Sequence, residues 1–233
     1  MMRPLLLAAA MTLAATAGAS SFAAPPKKAA AARDWTKTVV LTLDGGYRVG
    51  NPAAAVKLVE YVSLTCPHCR QFAATGGPAL VGDHVRSGRV SFEIRPYPLD
   101  IVAAVGAQLN RCAAPAQAFA LNDAILASQE EWFARLDAVS AEEIAAIEAL
   151  PAAQQRVRIA AATGIDAIAA RHGVSPERTR ACLADDAGAA RIEAIKAAAE
   201  AIGIQGTPSF TINGQIAQHV HDWASLEPLL RQR

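Results

Sequence analysis

Two cysteines three positions apart carry the clearest chemical signal in this sequence. Cys66 and Cys69 enclose Pro67 and His68 in a Cys-x-x-Cys motif. Thiols at this spacing can form a disulfide and exchange it with other thiols, and the thiolate is the attacking species. The motif therefore predicts redox catalysis, with Cys66 as the exposed nucleophile and Cys69, one helical turn further in, as the resolving thiol.

The elements around the motif favour a thiolate at Cys66. The alternating residues Val56 to Val62 predict a strand that runs straight toward the motif, and helical composition follows it, with an interruption at 76–78. Pro67 suits the first turn of a helix, where unpaired N–H groups and a partial positive charge lower the pKa of a thiol. His68 can add a hydrogen bond or a positive charge.

Other kinds of site share this spacing. A structural zinc site usually needs a second pair of ligands, and Cys112 and Cys182 are isolated from each other. Haem attachment needs a histidine directly after the second cysteine, where this chain has Arg70, so that interpretation is excluded. An inert structural disulfide and a thiol-based copper(I) module remain as alternatives. We expect redox catalysis and no metal site.

An acidic residue lies in the strand that leads to the motif. Glu60 shares a strand face with Val56 and Val62, six positions before Cys66. We expect its carboxyl to be partly desolvated beneath the active site. Burial would raise the pKa of the carboxyl and suit it to moving the proton of Cys69. A solvated charge on the strand surface is the alternative.

The second pair of cysteines is more widely spaced. Cys112 and Cys182 are 70 positions apart, each in a stretch of helical composition. If Cys66 pairs with Cys69, only the pairing of Cys112 with Cys182 is left. In an oxidising compartment we expect a structural disulfide there, which would stabilise the fold by about 4 kcal/mol. A regulatory role is the alternative.

Composition and the amino terminus narrow the class of protein. A chain of 233 residues that is 52% hydrophobic is not disordered, and a net charge of +1 gives no basic surface for nucleic acid. Arg3, an apolar run and an A-x-A-like site near Ala23 predict a secretory signal peptide over 1–23 and a flexible leader over 24–34. An uncleaved membrane anchor is the alternative. Cleavage would release the mature protein into the periplasm, where disulfides persist.

The remaining periodicities predict a mixed α/β arrangement. Residues 35–100 and 187–233 are expected to form one domain, interrupted by an all-helical insertion over 101–186. The insertion has helix start signals at Ser140, followed by Glu143, and at Ser175. The other predicted elements are strands at 38–43 and 90–99, a helix at about 189–202, a hairpin with strands at 209–213 and 215–220, and a last helix capped by Asp222.

Two segments carry a resemblance to a known family. Val59 to Cys69 (VEYVSLTCPHC) and Gly206 to Phe210 (GTPSF) are similar to the active-site strand and the cis-proline loop of DsbA-like thiol:disulfide oxidoreductases. The resemblance implies a thioredoxin fold, a mixed central sheet flanked by helices, with a helical insertion. It also implies mixed-disulfide exchange at Cys66 without a cofactor, and proton transfer by Glu60.

The same resemblance implies how a substrate is held. The Thr207–Pro208 bond is expected to be cis and to lie beside the Cys66 sulfur, with the Thr207 backbone pairing with an extended peptide. The leading prediction is an extracytoplasmic oxidase that donates the Cys66–Cys69 disulfide to folding secreted proteins. It would act as a monomer and be reoxidised by a membrane partner. Because Thr207 is more typical of isomerases than of the founding oxidase, an isomerase or reductase of the same fold is the alternative.

Overall fold

The computed structural model describes residues 33–231. The signal peptide predicted over 1–23, and all but the last two residues of the leader over 24–34, lie outside this range. The strands are β1 Val39–Leu41, β2 Tyr47–Gly50, β3 Val56–Val62, β4 Val90–Pro96, β5 Ser209–Ile212 and β6 Gln215–Ile216. They form one sheet in the spatial order β1-β2-β4-β3-β5-β6. β3 and β4 are parallel and the other neighbours antiparallel, so the predicted mixed sheet is confirmed.

Several strand boundaries differ from the sequence prediction, and the strand predicted at 38–43 is limited to Val39–Leu41. Tyr47–Gly50 is a strand that the sequence did not predict, and it pairs antiparallel with β4. The strand predicted at 90–99 ends at Pro96, because proline has no N–H to continue the ladder. The strand predicted at 215–220 has only two residues, and His219 leaves the extended conformation with φ 60°.

Helices flank the sheet and fill the chain between β4 and β5. Near the motif lie α1 Pro67–Thr75 and α2 Gly77–Ala79, which continues into a π-helical turn at Leu80–Val85. The next eight are α3 Ile101–Cys112, α4 Pro115–Ala127, α5 Gln129–Asp137, α6 Ala141–Glu148, α7 Ala152–Thr163, α8 Ile165–Arg171, α9 Pro176–Ala184 and α10 Asp186–Ala201. The last is α11 Trp223–Arg231. Within 33–231, no helix combines the length and hydropathy that crossing a membrane requires.

Side-chain caps explain where several helices begin. Ser140, Ser175 and Asp222 accept hydrogen bonds from backbone N–H groups three residues ahead, at 3.2, 3.3 and 2.8 Å, so the three predicted N-caps are confirmed. The carboxylate of Glu143 accepts a hydrogen bond from Arg158 at 3.1 Å. The Ser140 cap is therefore formed, while the carboxylate expected to complete a capping box turns to another helix.

A continuous apolar core joins the sheet to the middle helices. Leu58 and Phe210 are buried on the sheet, and they belong to the same hydrophobic cluster as Trp132 and Leu183 of the helices. The Trp132 indole donates a hydrogen bond to the backbone oxygen of Ile125 at 3.0 Å, which satisfies its buried N–H. The helices thus pack directly on the sheet that carries the motif.

Two contacts fix helix α3. A disulfide joins Cys112 at its end to Cys182 in α9, with the Cα atoms 6.2 Å apart. At Gly106 an added Cβ would come within 2.7 Å of the Leu64 side chain. Any other residue at this position would require the end of the Leu64 side chain to shift away from α3.

Candidate active site

The Cys66–Cys69 motif lies where strand β3 passes into helix α1. Cys66 is the N-cap of α1, with extended backbone angles, and Pro67 occupies the first turn. Cys69 is fully buried, and only 4% of the Cys66 surface is exposed. The expectation of an exposed nucleophile is therefore wrong, because the N-cap position is covered by the loop before β5. A substrate can approach the Cys66 sulfur only through the small part of its surface that remains open.

The two thiols of the motif have oppositely shifted pKa values. A hydrogen bond from the Cys69 thiol lowers the pKa of Cys66 to about 5, against the effect of burial. Thr207 and the backbone N–H groups of Cys69 and His68 act in the same direction. Burial, and then the interactions with Cys66 and Glu60, raise the pKa of Cys69 well above its usual range. At neutral pH the site therefore holds a Cys66 thiolate beside a Cys69 thiol.

His68 contributes through its backbone. Its N–H is among the groups that lower the pKa of Cys66, while its side chain is exposed to solvent. The sequence had suggested a hydrogen bond or a positive charge from this residue. The contribution expected from the His68 side chain stays a prediction.

The loop before β5 covers the sulfur of Cys66. The Thr207–Pro208 bond is cis, and the Thr207 carbonyl oxygen lies 3.3 Å from Cys66 Sγ. A thiol can donate to this oxygen, but a thiolate cannot. The Thr207 hydroxyl is buried and has no hydrogen-bond partner among the described residues, and its interaction with Cys66 lowers the pKa of that thiol. The hydroxyl is therefore the group of Thr207 that can donate to the thiolate.

Two further contacts hold this loop. The Ser209 hydroxyl donates to the Gly206 carbonyl oxygen at 2.7 Å, and His221 Nδ1 lies 3.1 Å from the carbonyl oxygen of Pro208. The sequence analysis did not identify His221 as part of the site. His221 lies between β6 and α11, and a histidine in such a connecting segment gives no sequence signal for this contact.

Glu60 lies on β3 beneath the motif. Only 4% of its surface is exposed, so a solvated strand charge does not fit. Burial, and then the charges of Asp123 and Cys66, raise the pKa of its carboxyl well above the usual range. Glu60 in turn raises the pKa of Cys69. These interactions bring Glu60 together with the two cysteines, and its role in proton transfer stays a prediction.

Helix α5 supplies a buried amide that the sequence analysis missed. Gln129 Nε2 donates to the carbonyl oxygens of Leu64 and Cys66, at 2.8 and 3.0 Å, and only 2% of the residue is exposed. The next residue, Glu130, pairs with Arg70 of α1. Nothing in the sequence marks these residues, because the contacts join positions about 60 apart. Helix α5 thus holds the loop that presents Cys66.

The other predicted residues lie either at the active site or at a separate disulfide. Thr207 and Pro208 join the motif and Glu60, whereas Cys112 and Cys182 form their own disulfide between α3 and α9. In the part of the chain that the structure describes, no cluster of three or more His, Cys, Asp or Glu side chains has the arrangement of a metal site.

Comparison with known proteins places this geometry in a family. Residues 42–232 match the family described as Thioredoxin. Candidate protein-disulfide oxidoreductases of Rickettsia conorii and Rickettsia typhi are each 29% identical to this chain, over 180 and 185 residues. The matches cover 73% and 77% of this chain but 54% and 59% of the relatives, so the chain spans little more than half the length of these proteins.

Solved structures give the same family. A crystal structure described as the protein-disulfide isomerase from Novosphingobium aromaticivorans is 34% identical, with a TM-score of 0.70 over 80% of this chain and 95% of that one. Alpha-DsbA1 of Wolbachia pipientis shares the fold at 21% identity, with a TM-score of 0.63 over 83% of this chain and 92% of that one. From the family match over residues 42–232, the chain belongs to the thioredoxin family, and it shares its fold with a DsbA protein.

Proposed function

We propose that this protein is a thiol:disulfide oxidoreductase whose Cys66–Cys69 pair exchanges a disulfide with cysteines of other proteins. The observation that carries the proposal is the position of Cys66 at the N-cap of α1, with its sulfur 3.3 Å from the Thr207 carbonyl oxygen and the buried Cys69 in the first turn. This arrangement shifts the two pKa values in opposite directions, to about 5 for Cys66 and upward for Cys69. A thiolate with a low pKa is both an attacking group and a good leaving group in disulfide exchange. A buried thiol beside it can close the disulfide again.

The exchange runs in two steps. In the disulfide form, a substrate thiolate attacks Cys66 Sγ, the Cys66–Cys69 bond breaks, and Cys69 leaves as a thiolate that takes up a proton. A second substrate thiolate then attacks the substrate sulfur of the mixed disulfide, and Cys66 leaves as the stabilised thiolate. The substrate gains a disulfide and the protein is left as a dithiol. We propose Glu60 as the donor of the proton to Cys69, because it is buried and interacts with that thiol.

We further propose that an extended substrate peptide pairs with the backbone at Thr207. The carbonyl oxygen of this residue lies beside Cys66 Sγ, and Thr207 precedes the start of β5 at Ser209. A peptide aligned there would bring its cysteine against the open part of the Cys66 sulfur. Pro208 has no N–H, so the Thr207 backbone supplies the pairing groups at this point.

The proposed direction of the reaction is oxidation of the substrate. Stabilising the Cys66 thiolate stabilises the dithiol form of the protein, and a stable dithiol makes the disulfide a stronger oxidant. With the predicted signal peptide over 1–23, we propose a periplasmic monomer that oxidises folding secreted proteins and is reoxidised by a membrane partner. The second candidate is an isomerase or reductase, favoured by Thr207 and by the printed name of the Novosphingobium aromaticivorans protein.

Equilibration of the purified protein with reduced and oxidised glutathione separates these functions. A potential near −120 mV, together with oxidation of a dithiol peptide, supports an oxidase, and a value near −200 mV supports an isomerase or reductase. Cys69→Ala is expected to accumulate a mixed disulfide at Cys66, and Cys66→Ala, the matched variant, none. Failure of the wild-type protein both to oxidise a dithiol peptide and to reduce a disulfide peptide, with stoichiometric binding of copper(I) by the reduced form, would replace the proposal by a metal-binding module.

A cell fractionation test addresses the compartment. The proposal expects the full chain, expressed with its own amino terminus, to appear in the periplasmic fraction and to lose about the first 23 residues by mass. Cytoplasmic retention of an uncleaved chain would contradict the predicted localisation without bearing on the exchange chemistry.

A further inference from the structure

A cavity lies behind the motif, between strand β3 and helices α1 and α4. Its volume is about 220 Å³, and its lining includes two carboxyl groups, Glu60 of β3 and Asp123 of α4. Glu60 is buried, with 4% of its surface exposed, whereas Asp123 is an exposed residue. The cavity therefore joins a buried carboxyl to a carboxyl that solvent reaches.

The cavity has the size and lining of a short water path. A water molecule takes up about 30 Å³ of liquid volume, so there is room for several. The walls are mostly apolar, with Phe72, Phe92 and Phe119 among them, and the polar lining side chains are Glu60, Asp123 and Asn122. Water inside would be held by these groups, and chains of water held in this way carry protons.

The charges around the cavity are all of one sign. The acidic groups that interact with Glu60 are Asp123 of α4, Cys66 at the start of α1, and Cys69. No lysine, arginine or histidine lines the cavity in the described part of the chain. Desolvation raises the pKa of Asp123, although the residue as a whole is exposed, as well as that of Glu60. Both carboxyls therefore hold a proton more readily than an ordinary carboxyl does.

We propose that Asp123 is a positioning residue for proton transfer, which connects Glu60, and through it the Cys69 thiol, to solvent along the water of this cavity. The inference deepens the proposed function and rests on it. The buried Cys69 must gain a proton whenever it leaves as a thiolate and lose one whenever it attacks. A buried Glu60 can exchange one proton with Cys69, but it must then return to its original protonation state by exchanging a proton with solvent.

When the reduced protein is oxidised, the second step begins from the mixed disulfide between Cys66 and its partner. Cys69 passes its proton to the Glu60 carboxylate and attacks Cys66 Sγ of the mixed disulfide. The Cys66–Cys69 bond forms, and the bond from Cys66 to the partner sulfur breaks, releasing the partner as a thiolate. Glu60 then passes the proton through cavity water to Asp123 and to bulk solvent. The oxidant is the partner disulfide, and no other co-reactant is needed.

The test is rapid oxidation of the reduced full-length protein by oxidised glutathione, followed by acid quench and mass spectrometry. At low concentrations of oxidised glutathione, the observed rate reports attack of Cys66 on the glutathione disulfide. At high concentrations the rate reaches a plateau, which is set by attack of Cys69 on the mixed disulfide at Cys66. Asp123→Asn is expected to lower the plateau about threefold to tenfold, because solvent can replace only part of the path. The second-order constant for Cys66 is expected to change less than twofold.

Asp137→Asn is the matched control, since Asp137 ends helix α5 as an exposed residue and does not line the cavity. Its plateau is expected to equal that of the wild-type protein, and Asp123→Glu is expected to restore most of the rate. In Asp123→Asn the plateau should rise with the concentration of a small buffer acid, such as imidazole, that replaces the lost carboxyl. The wild-type plateau should not.

Two outcomes overturn the inference. The first is a plateau in Asp123→Asn that equals the Asp137→Asn value. The second is a lower plateau without buffer dependence, which would mean that Asp123 acts only by repelling the charge on Glu60 or by supporting the structure. A wild-type protein that does not react with oxidised glutathione would instead refute the proposed function, so the two failures are distinguishable.

Discussion

The hydroxyl of Thr207 offers a sharp test of how the site stabilises a thiolate. It is buried, interacts with Cys66 in the sense that lowers the pKa of that thiol, and has no other hydrogen-bond partner among the described residues. Thr207→Val removes the hydroxyl and keeps the size and β-branching of the side chain. The backbone carbonyl that lies against the Cys66 sulfur stays in place, so the change isolates a single donor.

The size of the effect follows from the energy of one hydrogen bond. A hydrogen bond to a charged group contributes about 1.5–3 kcal/mol, and one pKa unit corresponds to about 1.4 kcal/mol. We take the lower end, because the Cys69 thiol and two backbone N–H groups still act on Cys66. Thr207→Val should then raise the pKa of Cys66 from about 5 to about 6.

The redox potential should change with the pKa. At pH 7 the thiolate remains the main form, but the dithiol protein loses about 1.4 kcal/mol of stabilisation, while the disulfide form does not titrate. For a two-electron couple this energy equals about 30 mV. The dithiol form is the one that is destabilised, so the potential becomes more negative and the protein a weaker oxidant.

The assay is thiolate absorbance at 240 nm against pH, together with equilibration against glutathione. Thr65→Val is the matched control, because Thr65 directly precedes Cys66 in the β3–α1 loop and its hydroxyl is engaged 3.1 Å from the Ser63 hydroxyl. It should leave both quantities unchanged. A Thr207→Val protein whose Cys66 pKa moves by less than about 0.3 unit would refute the reasoning and leave the backbone N–H groups and Cys69 as the whole cause.

Three other predictions concern stability. Gln129→Leu leaves the buried carbonyl oxygens of Leu64 and Cys66 without its two hydrogen bonds, and should lower the free energy of unfolding by about 2 kcal/mol in urea; an unchanged midpoint would show that water replaces the amide. Replacing both Cys112 and Cys182 by Ala should cost about 4 kcal/mol, from the 70-residue separation, and a loss under about 1 kcal/mol would argue against a stabilising role. The folded-state pKa of Cys66, about 5, lies below the unfolded value of about 8.5. The stability that this shift gives the reduced protein is fully present above about pH 8.5 and is lost as pH falls through about 5. The unfolding free energy of the reduced form minus that of the oxidised form should therefore increase as pH rises from about 5 to about 8.5. A difference that does not change with pH would contradict a thiolate at Cys66.

The sequence predicted the parts of the fold whose signals are local. The strand over Val56–Val62 alternates in polarity, the Asn213-Gly214 turn marks a hairpin, and Ser175 before a proline marks a helix start, and all three are found. Strand β2 gave no such signal. It has four residues, ends in a glycine, and is fixed mainly by its pairing with β4 on one side and β1 on the other.

The residues of the candidate site also fall into those with a local sequence signal and those without one. Cys66, Cys69 and Glu60 could be placed because they are close in sequence and share one strand and one helix start. Gln129 and Asp123 could not, since they reach the site from helices that lie about 60 positions further along. The burial of Cys66 was also not predictable, because the loop that covers it is 141 positions away.

The backbone can be cleaved within helix α6 without separating the two resulting fragments. This helix has no buried residue, and it lies inside the loop closed by the Cys112–Cys182 disulfide. A protease cut there would leave two fragments that stay covalently joined until a reductant is added. The same segment is therefore a suitable position for an inserted affinity tag or fluorescent label, since Gln129 and Asp123 remain on the part of the chain that precedes it.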